Sequence, residues 1–260
     1  MYQIRVLRSS LCPRAPLSIG EACALRFAEA GCSVILVARR VERLNALSAR
    51  LAAMPECPGV HVVALDVRDT DRILALPAEL PPGLAEVDIL VNNAGLALGV
   101  AAADALEMED AFTMLDTNVK SVMAFTRAFA PGMRARGRGH IINMSSIAGQ
   151  EAYGGGSAYC ASKHAVDAFT TATRHDLVGT PVRVTAISPG AVRTEFSVVR
   201  FGGDQAKADD VYAGIEPLLA EDIADNVLYA ATRPAHVQVA DITVFATYQS
   251  SAKGLARVLK

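Results

Sequence analysis

The sequence predicts an α/β fold, a doubly wound parallel sheet flanked by helices, with all 260 residues in a single domain. Two patterns support this prediction. Short apolar runs rich in β-branched residues alternate with helical patterns, as they do where parallel strands are joined by crossover helices. The runs are also apolar at successive positions, which is typical of strands buried on both faces. A chain of this length can bury one large core, and nothing in it requires a second domain.

Six apolar runs are predicted to be strands, and helical patterns lie between them. The runs end in charged, polar or turn residues, as in "CSVILVA" before Arg39 and "HVVALD" at Asp66. The predicted strands are 32–38, 61–66, 87–95, 140–146, 182–190 and 240–247. The predicted helices are 19–30, 41–53, about 104–134, 157–178 and 221–232.

A ligand site is predicted at one edge of this sheet. In open parallel sheets, ligands bind just beyond the carboxyl ends of the strands. Five polar or turn residues fall at such ends, namely Arg39, Asp66, Asn92, Ser146 and Pro189. A polar, glycine-bearing stretch, about 197–216, follows the last of these ends. Because an insertion of this kind suits a lid, we expect it to cover a substrate.

Composition argues against several classes of protein. The net charge of −2 offers no basic field for nucleic acid or an anionic membrane. With 5% aromatic residues and no Trp, base stacking is also disfavoured. The five cysteines are odd in number, scattered and without a CxxC pair, which indicates buried thiols in a reducing compartment. We therefore expect a cytoplasmic protein with no nucleic acid, membrane or metal among its partners.

The stretch "SAYCASKHA" carries the strongest chemical signal. It places Tyr159 and Lys163 four residues apart on a predicted helix, so that both side chains share one face. An ammonium group beside a phenol stabilises the phenolate and lowers the pKa of the tyrosine. A tyrosine tuned in this way can pass a proton to or from a substrate oxygen. Alone the pattern is weak, since a solvated pair on a helix surface has the same spacing.

Two further polar residues extend this signal. Ser146 ends the preceding predicted strand, thirteen residues before Tyr159, and can hydrogen-bond the reacting oxygen. Asn118, in "LDTNVKS", either interrupts a helix and holds a water molecule or forms a simple polar kink. Together with the tyrosine and the lysine, these residues predict a site for proton transfer.

These motifs together resemble the short-chain dehydrogenase/reductase family, over nearly the whole chain from about Ile19. The shared motifs are "NNAG" at 92–95, Asn118, the serine of "NMSSIAG", the Tyr159–Lys163 pair and "SPGAVRTEF". The resemblance implies a Rossmann-like dinucleotide-binding fold. It also implies a catalytic proton relay made of Asn118, Ser146, Tyr159 and Lys163. The family's spacing to the tyrosine favours Ser146 over the neighbouring Ser145.

A finer resemblance is to the NADP-dependent 3-hydroxy acid dehydrogenases, the serine or allo-threonine dehydrogenase branch, through "NNAGLALG", "TEFSVVRF" and "PAHV". It implies hydride transfer between NADP(H) and a small 3-hydroxy acid of the serine, allo-threonine, 3-hydroxyisobutyrate or 3-hydroxypropionate type, or its semialdehyde or ketone. Such a carboxylate needs a cation, and Arg200 in the predicted lid is either that cation or an ordinary surface arginine. The family's habit further implies a homotetramer built on the long helices 104–134 and 157–178.

A second set of residues is expected to bind the cofactor. Strand 32–38 is followed by Arg39 and Arg40, where an enzyme that uses NAD would carry an acidic residue, so these arginines favour the 2′-phosphate of NADP. Two arginines would also occur at this position if they only formed the solvated start of the next helix. By resemblance, the full set is Ile19, Gly20, Arg39, Arg40, Asp66, Val67, Asn92, Asn93, Tyr159, Lys163, Pro189, Gly190, Val192 and Thr194. In it, Asp66 resembles the family's adenine contact, although an acid favoured by the dipole of the next helix would look the same. Asn92 and Asn93 are expected to contact the adenine ribose, to join neighbouring strands, or to do both.

Residues 1–18 depart from the family. Its phosphate-binding loop is TGxxxGxG, and alignment on Gly20 places Pro13, Arg14 and Ser18 where the threonine and two glycines should stand. A side chain at Arg14 or Ser18 occupies space where the backbone must approach the phosphate. The preceding stretch, "RVLRSSLC", is too polar for a central strand. Ser18 and Glu21 instead form an S-x-x-E capping-box pattern, which would cap the helix start that holds pyrophosphate.

Two interpretations follow from this departure. The first is an active NADP-dependent oxidoreductase, in which the charge of Arg14 partly compensates for the lost glycines. The second is a non-catalytic relative, or the product of altered splicing or a wrong gene model, that acts, if at all, through a protein interface. The intact relay downstream favours an artefact or isoform over a natural pseudoenzyme. The resemblance to the family makes the first interpretation the function that the gene encodes.

Overall fold

A parallel sheet forms the centre of the molecule. The computed structural model describes residues 17–258 and the backbone of residues 3–7. Within these residues the strands are β1 (Gln3–Leu7), β2 (Ser33–Ala38), β3 (Val60–Ala64), β4 (Ile89–Asn92), β5 (Gly139–Met144), β6 (Val182–Pro189) and β7 (Asp241–Val244). Their order across the sheet is β3-β2-β1-β4-β5-β6-β7. The predicted doubly wound sheet is confirmed, and its switch point lies between β1 and β4.

Strand β1 corrects the expectation that the N-terminal segment is too polar to supply a central strand. Its backbone pairs in parallel with β2, Gln3 opposite Ser33, and with β4, Ile4 opposite Ile89. The expectation took residues 5–12 as the strand, whereas the strand is Gln3–Leu7 and does not include Arg8, Ser9 and Ser10. Pairing on both sides satisfies the backbone groups of β2 and β4 that face it.

Helices cover both faces of the sheet. The α-helices of the described residues are α1 (Ile19–Glu29), α2 (Val41–Ala52), α3 (Thr70–Glu79), α4 (Met108–Leu115), α5 (Ser121–Arg136), α6 (Ser157–Asp176), α7 (Phe196–Arg200), α8 (Gln205–Asp210) and α9 (Ala220–Ala231). Of the predicted helices, 19–30, 41–53, 157–178 and 221–232 correspond to α1, α2, α6 and α9 within two residues at each end. None of the helices in the described part of the chain is long and apolar enough to cross a membrane.

Two helical regions differ from the prediction. The stretch 104–134 is not continuous, because a π-helical turn at Asp116–Lys120 separates α4 from α5. Helix α3 was not predicted. Asp69 caps its first turn by accepting a hydrogen bond from the backbone N–H of Arg72 at 3.1 Å. Pro77 in its last turns obscures the helical pattern in the sequence.

Burial on both faces of β2 shows how the core is built. Val34 and Leu36 pack in the layer that contains α1, α2 and α9. Ile35 and Val37, which point the opposite way, pack in the layer that contains α3 and α5. Because successive side chains go to opposite layers, a strand between two helical layers must be apolar throughout, as the sequence of β2 is.

Candidate active site

A cavity of about 1190 Å³ opens at the carboxyl edge of the sheet. Its wall contains residues that follow β2, β4, β5 and β6, which is the edge where the sequence predicts a ligand site. Helices α7 and α8, which belong to the predicted lid 197–216, contribute further wall residues. The cavity is larger than a typical pocket for a single small molecule, about 300–1,000 Å³, and has room for a dinucleotide beside a substrate.

Tyr159 and Lys163 lie one turn apart on α6, and both are buried in the cavity wall. The Nζ atom of Lys163 lies 5.9 Å from the centroid of the Tyr159 ring. The same Nζ donates a hydrogen bond to the backbone carbonyl of Met144, the last residue of β5, at 2.8 Å. The lysine is therefore held between its own helix and the end of a central strand, and the alternative of a solvated surface pair does not apply.

The two serines after β5 occupy different surroundings. Ser146 caps the short 3₁₀ turn Ile147–Gly149, its hydroxyl accepting a hydrogen bond from the backbone N–H of Ala148 at 3.1 Å. The same hydroxyl interacts with Tyr159. Ser145 is buried and interacts with Asp167 instead. The geometry therefore pairs Ser146 with the tyrosine, as the resemblance to the family implies.

Burial controls the pKa values of the central pair. It raises the pKa of Tyr159, while the hydrogen bond with Ser146 and the charge of Arg200 act in the opposite direction. Burial also lowers the pKa of Lys163 to about 8, against the opposing effect of the Asp167 carboxylate. The lowering of the tyrosine pKa by the lysine stays a prediction. Desolvation outweighs the charges near the phenol, and the groups that favour the phenolate are Ser146 and Arg200.

Asn118 is buried in the π-helical turn between α4 and α5. Its Oδ1 atom accepts from the backbone N–H of Leu96 at 2.8 Å, and its Nδ2 atom donates to the carbonyl of Leu96 at 2.8 Å and to the hydroxyl of Ser162 at 2.9 Å. The helix is therefore interrupted at this residue. The side chain fixes the loop after β4 against α6, while its part in a proton relay remains a prediction.

The arginines that follow β2 line the opposite end of the cavity. Arg39 lies 3.7 Å from the carboxylate of Asp66, and Arg40 lies 3.5 Å from that of Glu195. A hydrogen bond from Arg68 holds the pKa of Asp66 below its usual value, so its carboxylate is ionised. Asp66 and Val67 line a small recess that shares Arg39 with the main cavity.

The two asparagines after β4 have separate positions. Asn93 lines the cavity. Asn92 lies outside its wall, and its Nδ2 atom donates to Oδ1 of Asn143 at 2.8 Å, opposite it on β5. Of the roles that the sequence leaves open for Asn92, the structure shows the joining of neighbouring strands.

The other residues expected at the cofactor lie around the same space. Ile19, Pro189, Gly190, Val192 and Thr194 line the cavity, whereas Gly20 is buried and is not part of its wall. At Gly95 a Cβ atom would lie 3.3 Å from Nζ of Lys163 and 3.5 Å from Oδ1 of Asn118. The wall can approach the lysine this closely because no side chain intervenes. The two arginines at one end and the buried lysine at the other fit the phosphate and ribose ends of a dinucleotide.

Helix α1 begins with the serine cap that the sequence predicts. The Ser18 hydroxyl accepts a hydrogen bond from the backbone N–H of Glu21 at 3.2 Å. The Glu21 carboxylate, fully buried, pairs with Arg50, and burial raises its pKa. One backbone donor that a phosphate would use at this helix start is therefore taken by the chain itself. Pro13 and Arg14 lie outside the described residues.

Arg200 lies in the cavity wall at the end of α7. Its guanidinium donates to the Tyr153 hydroxyl at 3.0 Å, to the carbonyl of Gly155 at 3.0 Å and to that of Gly99 at 3.3 Å. It lies 5.9 Å from the ring centroid of Tyr159. The alternative of an ordinary surface arginine is thus not supported. Tyr153 was not predicted, because no local pattern connects it with an arginine 47 residues away.

No group of three or more His, Cys, Asp or Glu side chains that could hold a metal ion occurs among the described residues. The site itself presents the buried Tyr159 and Lys163 beside the partly buried Ser146, with arginines at both ends of the cavity.

Comparison with known proteins agrees with this geometry. A family model described as short chain dehydrogenase matches residues 15–201. The chain belongs to the short-chain dehydrogenase/reductase family. The predicted family and fold are confirmed, and the chain is an oxidoreductase of that family.

Its relatives include several dehydrogenases and reductases. The NADP-dependent 3-hydroxy acid dehydrogenase of Schizosaccharomyces pombe is 43% identical over 244 residues, which are 94% of each chain. A sulfoacetaldehyde reductase of Chromohalobacter salexigens is 46% identical over 237 residues, 91% of this chain and 92% of the relative. A solved structure of the closed form of serine dehydrogenase, complexed with NADP+, matches with a TM-score of 0.89 and 41% identity. That match covers 96% of this chain and 97% of the other.

Proposed function

We propose that this short-chain dehydrogenase transfers a hydride between NADP(H) and a small 3-hydroxy acid, or its semialdehyde or ketone. One observation carries the proposal: the guanidinium of Arg200 lies 5.9 Å from the ring of Tyr159, in the wall of the same cavity. A substrate whose hydroxyl meets the tyrosine then has a cation near its acid group. The names of relatives support this choice, since they include NADP-dependent 3-hydroxy acid dehydrogenase and serine dehydrogenase complexed with NADP+.

The residues at the centre divide the proton chemistry. Bound NADP supplies or accepts the hydride. Tyr159 takes the proton of the substrate hydroxyl during oxidation and returns it to the carbonyl oxygen during reduction. Ser146 orients that oxygen by a hydrogen bond. Lys163, with a pKa of about 8, can hold or release a proton near neutral pH, and it would also hold the nicotinamide ribose. Asn118 continues the relay through water.

The cofactor residues follow the length of the cavity. Arg39 and Arg40 bind the 2′-phosphate, which accounts for the use of NADP. Asp66 and Val67 contact the adenine, and Asn93 contacts the adenine ribose. Pro189 ends β6, and with Gly190, Val192 and Thr194 after it would hold the nicotinamide, while Ile19 would lie near the pyrophosphate.

A titration of the wild-type chain with NADPH, and with NADH alongside, tests the proposal. By calorimetry we expect NADPH to bind at micromolar concentration and NADH more weakly. A panel of 3-hydroxy acids, with sulfoacetaldehyde as a sulfonate for the reverse reaction, then identifies the acid group that Arg200 accepts. If a folded sample does not bind NADPH, the loop before Gly20 is impaired and the non-catalytic interpretation replaces this one.

Tyr159→Phe is the matched variant for the chemistry. It removes the proton donor while leaving the ring against Phe196, whose centroid lies 5.5 Å away. We expect kcat to fall by about 10²–10⁴-fold, the range for loss of a general acid or base, with NADPH affinity unchanged. A Tyr159→Phe enzyme that retains wild-type kcat would contradict the assignment of Tyr159 as the acid and base.

A further inference from the structure

A carboxylate at the base of the lid contacts two arginines at the cofactor end of the cavity. Glu195 directly precedes α7, and it accepts hydrogen bonds from Arg43 at 3.0 and 3.2 Å and from Arg40 at 3.5 Å. Both arginines lie at the start of α2, more than 150 residues away in the chain. The fold therefore brings a lid carboxylate to the arginines that follow β2.

The two contacts are unequal. Arg43 approaches both oxygens of Glu195, and 21% of its side chain is exposed. Arg40 makes a single, longer contact, has 43% of its side chain exposed and lines the cavity. Arg43 is thus the firm partner of Glu195, and Arg40 is the loosely held one that a ligand can reach.

The 2′-phosphate of NADP needs the same guanidinium. At neutral pH a phosphate monoester carries a charge of about −1.5 to −2, more than a carboxylate does, and it presents several acceptors to the arginine fork. The other charged groups around Glu195 are already engaged. Arg39 faces Asp66, and Glu21, whose pKa is affected by both Arg43 and Glu195, pairs with Arg50.

We propose that Glu195 is a specificity-determining residue for the cofactor: it competes with the 2′-phosphate of NADP for Arg40, while Arg43 keeps Glu195 at the base of the lid. This inference rests on the NADP site proposed above. When the phosphate binds, Arg40 gives up its weaker contact with Glu195 for one with the phosphate. The Arg43–Glu195 pair stays in place. Because NAD has no 2′-phosphate, the competition affects NADP alone, and Glu195 sets how strongly the enzyme prefers NADP.

Calorimetric titration of Glu195→Gln with NADP+, NAD+ and 2′,5′-ADP tests this proposal. The last ligand carries the 2′-phosphate without the nicotinamide half, so it probes the adenosine end alone. Loss of one partly exposed ion pair is worth a small factor, and we expect NADP+ and 2′,5′-ADP to bind about two- to fivefold more tightly. NAD+ affinity should not change. Equal changes for all three ligands, or no change for any, would overturn the proposal.

Two further variants separate competition from a general effect of charge. Glu216→Gln removes a carboxylate from an exposed position in the same lid and should leave all three affinities unchanged. Arg43→Gln frees Glu195 to hold Arg40 more strongly, so NADP+ should bind more weakly, but in the Glu195→Gln background it should have no effect. An equal loss in both backgrounds would mean that Arg43 contacts the phosphate itself, and the proposal would be wrong.

The wild-type titrations distinguish failure of this inference from failure of the NADP site. If 2′,5′-ADP binds the wild type no more tightly than 5′-AMP does, the phosphate site at Arg40 fails and the proposal fails with it. If the wild type discriminates between them but Glu195→Gln behaves as the wild type, only the role of Glu195 is overturned. Unfolding midpoints of each variant establish that the folded protein is being compared.

Discussion

At the scale of single residues, Lys163 is a buried cation in the middle of the candidate active site. Its ammonium group donates to one backbone carbonyl, that of Met144, and Asp167 is the carboxylate that favours its charge. Burial lowers its pKa from 10.5 to about 8. Burying the charged form of this lysine is costly, and its pKa falls for that reason. The lowered pKa allows the lysine to exchange a proton near neutral pH.

The depressed pKa of Lys163 predicts a pH dependence of stability. Between pH 8 and 10 the unfolded chain binds more protons at this lysine than the folded chain, so the free energy of unfolding contributed by it rises with pH. Between pH 8 and pH 10 the free energy of unfolding of the wild type should therefore rise by about 2 kcal/mol relative to that of Lys163→Met. Urea unfolding of both proteins at the two pH values measures this difference. Lys120→Met, at an exposed lysine, is the control and should show no such difference. A constant difference between the wild type and Lys163→Met would contradict the prediction.

At the scale of elements, short turns bring the catalytic groups together. The 3₁₀ turn Ile147–Gly149 places the end of β5 against α6. A Cβ atom on Gly149 would lie 2.7 Å from the hydroxyl of Ser145 and 2.9 Å from the backbone carbonyl of Lys163, and it would collide with Asp167. Glycine is required here because of this close approach, since the turn could not otherwise lie against the helix that carries the tyrosine and lysine.

Gly149→Ala should therefore destabilise the protein. Overpacking of this kind costs about 1–3 kcal/mol, and the shift of the turn should also lower kcat because Ser146 caps it. Gly154→Ala is the matched control, because no atom lies within 4 Å of a Cβ at that position. Chemical denaturation of both variants measures the difference, and equal stabilities would show that the turn can move without cost.

The start of α1 supports a prediction about cofactor affinity. Replacing both Ser18 and Arg14 by glycine restores the two missing glycines of the family loop and removes the serine cap. We expect NADPH to bind more tightly to this double variant, at a cost of a few tenths of a kcal/mol for the lost cap, because a Ser-to-Gly change at an N-cap is mild. NADPH titration and urea unfolding measure the two effects. No gain in affinity would mean that the altered loop does not limit binding.

At the scale of the whole molecule, α4 and α5 expose apolar side chains. Met108, Phe112 and Leu115 follow helical spacing on α4, and Met123 on α5 is exposed as well. Exposed apolar side chains clustered along one surface are typical of a protein interface. They lie in one of the two helical regions on which the resemblance to the family predicts a homotetramer.

A charge in this surface should separate the subunits. For the wild type, we expect light scattering coupled to size exclusion to give the mass of four chains. Phe112→Asp should lower that mass, because Phe112 is 58% exposed in the single chain and would place a carboxylate in an apolar interface. Leu74→Asp, at an exposed position on α3, serves as the control and should remain tetrameric. A wild-type monomer would contradict the predicted tetramer.

Most strands of the sheet and the central pair of the site could be predicted because the sequence patterns that indicate them are local. Strands buried on both faces must be apolar throughout, so the runs at β2, β4, β5 and β6 were identified with small errors at their ends. Tyr159 and Lys163 share a face because of the period of an α-helix, which spacing alone reveals. Strand β1 was mistaken because residues 5–12, which include Arg8, Ser9 and Ser10, were taken as the strand. Its bounds, Gln3–Leu7, follow from its pairing with β2 and β4, which local composition does not reveal.

By itself, the sequence determined the family, the parallel sheet, the edge at which the site lies and the identity of its central tyrosine, lysine and serine. The tertiary structure decided which groups surround them. Tyr153 meets Arg200 and Arg43 meets Glu195 across 47 and 152 residues, distances over which sequence spacing carries no geometric information. The direction of the pKa shifts was also decided there, because desolvation depends on how completely the rest of the fold covers each group.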